Sequence, residues 1–293
     1  MEIEIPDEIP PLAAGTPSGQ EMLALWLPAA CGFSASLAVL WLIVRRTRRG
    51  LPAVERRPHP SVSWNGVDVA TTVLLFLGFQ VLAATAVPPA ASLHVRLAAG
   101  SVAMLAATIV SMLHLLMRGA AWSSLGCGLS RLGDDAVLAV GGLALILMPL
   151  LGLAAVLDRI EPYHHAIVDF LTAHRDPLSI GLVAFAAVVA APIAEEFLFR
   201  RVLQGWLEGW LEPREPKWGA VTAIVVSSLA FALAHLGQGL AWVPLFFFGL
   251  VVGYLSRQTG SIVPGIILHG LFNAVSVVLV VLQTAGPDAA GGG

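Results

Sequence analysis

The chain has 293 residues, of which 57% are hydrophobic and 12% charged, with a mean hydropathy of +0.82. Soluble domains carry about 25% charged residues, so this composition excludes an ordinary water-soluble globule. A formal net charge of −3 excludes a chain organised around nucleic acid or another polyanion. Two cysteines, Cys31 and Cys127, fit neither a disulfide framework nor a metal site by their spacing.

A membrane crossing needs about 20 apolar residues, and the hydropathy pattern predicts eight of them. In chain order they are Met22–Val44, Val67–Val87, Leu97–Met117, Ala136–Leu157, Ile180–Phe199, Ala220–His235, Trp242–Ser256 and Ile262–Leu282, the sixth and seventh being short. The leading segment 1–21 is acidic, and Arg45, Arg46, Arg48 and Arg49 follow the first run rather than preceding it. A signal peptide has the opposite order. The positive-inside rule therefore predicts an extracytoplasmic N-terminus and a cytoplasmic Arg-rich loop, and eight crossings return the C-terminus to the outside. Of the cationic residues only Arg96, Arg159 and Arg175 then fall outside.

The expected fold class is all-α, a polytopic membrane protein of about eight transmembrane helices around an intramembrane polar cavity. Its parts are the extracytoplasmic segment 1–21, a four-helix region over 22–179, a polar-bearing core over 180–282, and a disordered Gly/Ala-rich tail over 283–293. The linker Leu51–Trp64, with Pro52, Pro58 and Pro60, reads as an irregular loop. His164, His165 and His174 in the loop Asp158–Ser179 read as solvated histidines beside an interfacial helix rather than as a metal site.

A charged side chain at the bilayer centre costs at least ~2.5–3.5 kcal/mol, which makes each one a candidate functional group. Deep in the first four runs only Gln80 and His114 are strongly polar; the other such residues fall in the last third of the chain. The fifth run contains A-A-P-I-A-E-E-F-L-F-R-R. Arg200 lies four residues after Glu196, on the same helical face, so the spacing predicts a Glu196–Arg200 pair that leaves Glu195, about 100° away, free to face something else. Pro192 predicts a kink and a released backbone carbonyl. His235 ends the sixth run with Phe231 one turn before it, and His269 and Asn273 form an i,i+4 pair on the eighth, where Gly265 and Gly270 permit close helix approach.

Each of these elements has a structural alternative: an ion pair locking two helices, an interfacial histidine, an interhelical hydrogen-bond clamp. Together they supply a carboxylate suited to general-base work, imidazoles, a cation and an amide able to stabilise an oxyanion, which is a set for adding water to an amide carbonyl.

The combination E-E-x-x-x-R (Glu195, Glu196, Arg200), F-x-x-x-H (Phe231, His235) and H-x-x-x-N (His269, Asn273) resembles the three-motif signature of the CPBP family. That family comprises type II CAAX prenyl endopeptidases and bacterial relatives that include bacteriocin-immunity and Abi proteins. The resemblance covers about Ile180–Leu282. It implies an eight-span intramembrane protease, in a bacterial inner membrane, that hydrolyses a peptide bond of a membrane-associated, CAAX-type protein or peptide. It implies that Glu195 and His235 activate the water, that His269 and Asn273 bind the oxyanion, and that Glu196 and Arg200 brace the site. The family has been described both as metalloproteases and as glutamate-dependent proteases. No obligatory metal is expected, because no H-E-x-x-H spacing demands one; zinc on Glu195, His235 and His269 is the alternative.

Two other functions compete: a non-proteolytic scaffold or bacteriocin-immunity-type protein whose polar cluster only joins helices, and a proton-coupled carrier using Glu195 and the histidines as a relay. The carrier reading calls for inverted repeats, and none is evident. Counting residues from Lys217 places His235 nearly across the bilayer, whereas Glu195 and His269 fall nearer the cytoplasm. A fifth helix continuing through Gly205–Leu211 reduces that mismatch. The cavity is expected to open on the cytoplasmic face.

Overall fold

The computed structural model describes residues 19–57, 62–162 and 166–284; His164, His165, Pro58, Pro60, most of the N-terminal segment and nearly all of the predicted tail lie outside these. The described residues form helices and no strand. We number the helices α1 (Gly19–Arg48), α2 (Gly66–Ala86), α3 (Leu93–Met117), α4 (Leu132–Leu157), α5 (Ala166–Ala173), α6 (Pro177–Leu211), α7 (Gly219–Leu233), α8 (Trp242–Thr259) and α9 (Val263–Thr284).

Seven of the helices are long and apolar enough to cross a bilayer, and α7 is a shorter apolar helix of 15 residues. All eight predicted runs are thus helical. At 1.5 Å per residue α7 spans only about 22 Å, less than the ~30 Å hydrocarbon core; turns at both its ends cover the difference. Large apolar side chains such as Leu74, Leu77, Val102, Ile109, Val137 and Val140 face outward, as lipid-solvated helices require. The chain is an integral membrane protein.

Local sequence sets the helix ends. Asn65 accepts from the backbone N–H groups of Val67 and Asp68, while the Asp68 carboxylate accepts from the Asn65 N–H, a reciprocal cap that starts α2. Asp176 caps α6, whose first residue is Pro177. Between α8 and α9 the chain reverses through Gly260 at φ 64°, a left-handed conformation open to glycine at little cost. The loop before α4 is fastened to this turn, because the carbonyl of Gly126 accepts from the Ile262 N–H and the Ser261 hydroxyl.

The helices alternate in direction. One end of the bundle therefore carries the Arg45–Arg49 cluster, the α3–α4 and α6–α7 loops and the Gly260 turn; the other carries the α2–α3 turn, α5, the start of α6 and the end of α7. Several charged residues at the first end form ion pairs. Arg57 reaches Asp135 at 2.5 Å, Arg257 bridges Glu208 at 3.6 Å and also contacts Glu212, and Asp68 accepts from Arg118 at 3.1 Å. His114, expected deep in its span, sits near this end instead, 3.3 Å from Asp68.

Among the described residues three apolar clusters divide the interior, the smallest joining Phe170 and Leu171 of α5 to Val183 of α6. Of the larger two, one joins α2, α3 and the Ala120–Leu125 segment to Phe197 and Val202 of α6; the other joins Ile146 and Leu150 of α4 to Phe231, Phe248, Val252 and Leu268. α1 lies at the periphery against α4, held by a hydrogen bond from the Ser36 hydroxyl to the Ala144 carbonyl (2.6 Å).

Candidate active site

α6 carries the two adjacent carboxylates, and its backbone is irregular around them. It runs as a continuous helix from Pro177 to Leu211, but the stretches Phe185–Ala190 and Glu196–Gln204 adopt wider π-helical turns on either side of Pro192. Such turns occur often at functional sites. In the first of them the Ala191 N–H donates to Ala186 O, five residues back. The next position in that register belongs to Pro192, which has no N–H to give to Ala187 O. Asn273 supplies the missing donor, its Nδ2 lying 2.7 Å from that carbonyl. Pro192 therefore does release a carbonyl, and the side chain that takes it belongs to the H-x-x-x-N motif.

The predicted Glu196–Arg200 pair forms at 3.3 Å with both side chains fully buried. Arg200 is enclosed further by Ser227 Oγ, 3.0 Å from its Nη1, and by the ring of Phe231, whose centroid lies 4.9 Å from the guanidinium carbon. Ser227 in turn donates to the Phe199 carbonyl at 2.8 Å. Ser227 escaped the sequence reading because a serine in an apolar helix can return its hydroxyl to its own backbone, and nothing local marks one that reaches across.

The other Glu196 oxygen, Oε1, accepts from His269 Nδ1 at 3.0 Å, and His269 Nε2 lies 3.9 Å from Glu195 Oε2. His269 thus stands between the two glutamates. Gly265, one helical turn before it, allows this approach: a Cβ there would meet Glu196 Oε2 at 3.1 Å and Val252 at 2.8 Å. At Gly270 a Cβ would meet the Val188 carbonyl oxygen at 2.8 Å. Both glycines serve the close packing that the sequence predicts for them.

His235 is oriented by its own helix, Nδ1 donating to the Phe231 carbonyl at 2.9 Å, which leaves Nε2 open. Phe231 is the common neighbour: its ring centroid lies 4.9 Å from that of His235 and 5.8 Å from that of His269. α6 does continue to Leu211, and His235 and Glu195 line one cavity.

A cavity of about 820 Å³ brings the pieces together. Glu195, His235, His269 and Asn273 line it; Glu196 and Arg200 do not, and stand behind it. Apolar residues such as Met104, Leu150, Leu245 and Phe272 form most of its wall, and α2 contributes Gln80. At its rim are Arg96, Asp158, Glu161 and Gln238, all at the end of the bundle opposite the arginine cluster. The charged lining residues thus gather at the end opposite the arginine cluster, whereas the sequence reading expects an opening towards the arginine-rich end.

Glu195, His235 and His269 do not converge as a metal-holding set, and among the described residues no group of three His, Cys, Asp or Glu does so. His174 of the outer loop stacks on Phe170 at 4.8 Å and faces His94 at 5.4 Å.

No curated protein and no solved structure matches the chain. The sequence model of one family does, the type II CAAX prenyl endopeptidase Rce1-like family, over residues 177–275, a span that holds all six candidate residues. The three motifs that the fold brings together all lie inside the span that is similar to the type II CAAX prenyl endopeptidase Rce1-like family.

Proposed function

We propose that the chain is an intramembrane endopeptidase that adds water to a peptide bond of a membrane-associated, CAAX-type protein or peptide, with Glu195 and His235 acting on the water. The observation that carries this reading is the shared cavity: a carboxylate, two imidazoles and an amide from three helices line one space, while the ion pair that braces them lies outside it.

The chemistry follows from the available atoms. The Glu195 side chain is 20% exposed and lines the cavity, while its Oε2 is buried 3.9 Å from His269 Nε2; the carboxylate can take a proton from water as general base. His235, with Nδ1–H held by Phe231, offers Nε2 as an acceptor that orients the same water. Attack by the water oxygen on the scissile carbonyl places negative charge on the carbonyl oxygen. Asn273 has a second amide N–H beyond the one given to Ala187. His269 presents a proton on Nε2 only as the imidazolium, because Nδ1–H is committed to Glu196. Collapse of the tetrahedral intermediate breaks the C–N bond, and the proton held by Glu195 passes to the leaving amine.

Every step uses the chain's own side chains, and we infer that no metal is obligatory. The positive-inside rule supports an orientation with the arginine cluster in the cytoplasm, both termini outside, and the cavity mouth on the outer face of a bacterial inner membrane.

The test compares new peptide termini in membranes holding the wild-type protein, Glu195→Ala or His235→Ala. The expected result is a set of termini present only with the wild type, at equal protein levels and in the presence of a strong chelator. Identical termini in all three samples would favour the scaffold or immunity-type reading.

A further inference from the structure

Gln80 is the polar residue of the N-terminal spans that the site has so far left unused. It lies in the second half of α2, a helix with a mean hydropathy of 1.9 whose one charged residue, Asp68, sits at the opposite end. A side-chain amide carries two donors and an acceptor, and placing it in hydrocarbon without partners costs several kcal/mol. The hydrogen bond found for it is a long one, Nε2 to the Gly100 carbonyl of α3 at 3.5 Å. Its side chain is half-buried and lines the cavity, on the wall that α2 and α3 build facing α6 and α9. That wall lies outside residues 177–275. An amide of this kind has the donor–acceptor pattern of a peptide group, one N–H and one C=O side by side.

We propose that Gln80 is a substrate-binding residue, pairing with the main chain of a peptide laid between the α2–α3 wall and Glu195: its Oε1 accepts from a backbone N–H and its Nε2–H donates to a backbone carbonyl. The inference rests on the peptidase reading of the same cavity. It makes substrate binding, rather than the chemical step, depend on a helix outside the motif-bearing core. The alternative role for Gln80 is a clamp between α2 and α3.

The experiment measures affinity in the full-length Glu195→Gln protein, so that no turnover intervenes, using a fluorescent prenylated CAAX-type peptide and a series in which each main-chain N–H near the cleavage site is replaced in turn by an ester oxygen. One hydrogen bond corresponds to roughly a three- to tenfold change in Kd. Gln80→Leu removes both hydrogen bonds and is expected to weaken binding by roughly ten- to a hundredfold, and one ester analogue is expected to lose the single-bond factor against Gln80 but nothing further against Gln80→Leu. In the active protein the same substitution raises KM and leaves kcat within about twofold. Unchanged Kd for Gln80→Leu, or equal losses for every ester analogue in both proteins, overturns the inference and leaves the peptidase reading standing. A lowered melting temperature with unchanged Kd assigns Gln80 to the helix clamp. Failure of the parent protein to bind the peptide at all, with no cleavage by the wild type, overturns the proposed function itself.

Discussion

Asn273 stands in for the backbone N–H that Pro192 lacks, donating to the Ala187 carbonyl at 2.7 Å across the α6–α9 interface. The two residues are parts of one device. Pro192 allows a wide turn just before the glutamates, and Asn273 satisfies the carbonyl that the turn exposes. Leaving such a group unpaired away from water costs about 1–3 kcal/mol. Asn273→Leu is therefore expected to lower the melting temperature in detergent as well as abolish cleavage. Adding Pro192→Ala restores an N–H at position 192, so the double variant should regain stability relative to Asn273→Leu alone. Thermal unfolding of the four proteins of this cycle decides it; purely additive effects would show that the two positions are not coupled.

The pair was legible in the sequence only in halves. Pro192 predicted a freed carbonyl, and His269 with Asn273 predicted a shared face, but nothing in the spacing says that the second meets the first, because the meeting depends on a π-helical turn and a cross-helix approach. The same holds for His269. Its i,i+4 relation to Asn273 is a property of one helix, whereas its position between Glu195 and Glu196 depends on Gly265 and Gly270 letting α9 close against α6. Local pairs such as Glu196–Arg200, and the eight apolar runs, could be read directly because their periodicity lies within one element. The cavity mouth could not be, since it is set by which helix ends gather at one face.

The Glu196–Arg200 pair gives a prediction of a different kind. Removing one member of a buried ion pair leaves the other uncompensated, at about 3–5 kcal/mol. Arg200→Leu and Glu196→Leu should each reduce the yield of folded protein sharply. Arg200→Lys should not rescue, because an ammonium cannot keep the contact with Ser227, the face of Phe231 and Glu196 at the same time. Size-exclusion profiles and melting curves report this; a well-folded Arg200→Lys protein with normal stability would contradict it.

Glu195 should behave in the opposite manner. It lines the cavity and its Oε2 has no hydrogen bond, so Glu195→Gln keeps the shape and removes only the base. Loss of a general base costs about 100- to 10,000-fold in rate, with the melting temperature expected within a degree or two of wild type. A comparable fall in stability would move Glu195 into the group of bracing residues.

At Gly270 the limit is backbone against backbone. A Cβ would come within 2.8 Å of the Val188 carbonyl oxygen, so even Gly270→Ala must push α9 away from α6 at the level of Asn273 and His269. The expected outcome is a loss of cleavage out of proportion to the change in side-chain volume. A small stability cost is expected with it, measured by the same melting curves. A Gly270→Ala protein with full activity would mean that the α6–α9 spacing tolerates several tenths of an ångström without disturbing the site.

Orientation can be checked with thiol labelling, and the chain's own cysteines set the background. Cys127 lies between α3 and α4, and burial pushes its thiol above the ordinary range although Arg201 opposes the shift, so it should react slowly as a thiolate nucleophile. Cys31 is exposed on a lipid-facing stretch of α1, away from water-soluble reagents. In a Cys31→Ala, Cys127→Ala background, Glu161→Cys at the cavity rim and Arg131→Cys at the arginine-rich end report opposite sides of the bundle. With a membrane-impermeant maleimide applied to intact cells, the Glu161→Cys protein is expected to label and the Arg131→Cys protein only after lysis. The reverse pattern would place the cavity mouth in the cytoplasm, and a substrate would then have to approach from the side where proteins are made and lipidated rather than from the outer face.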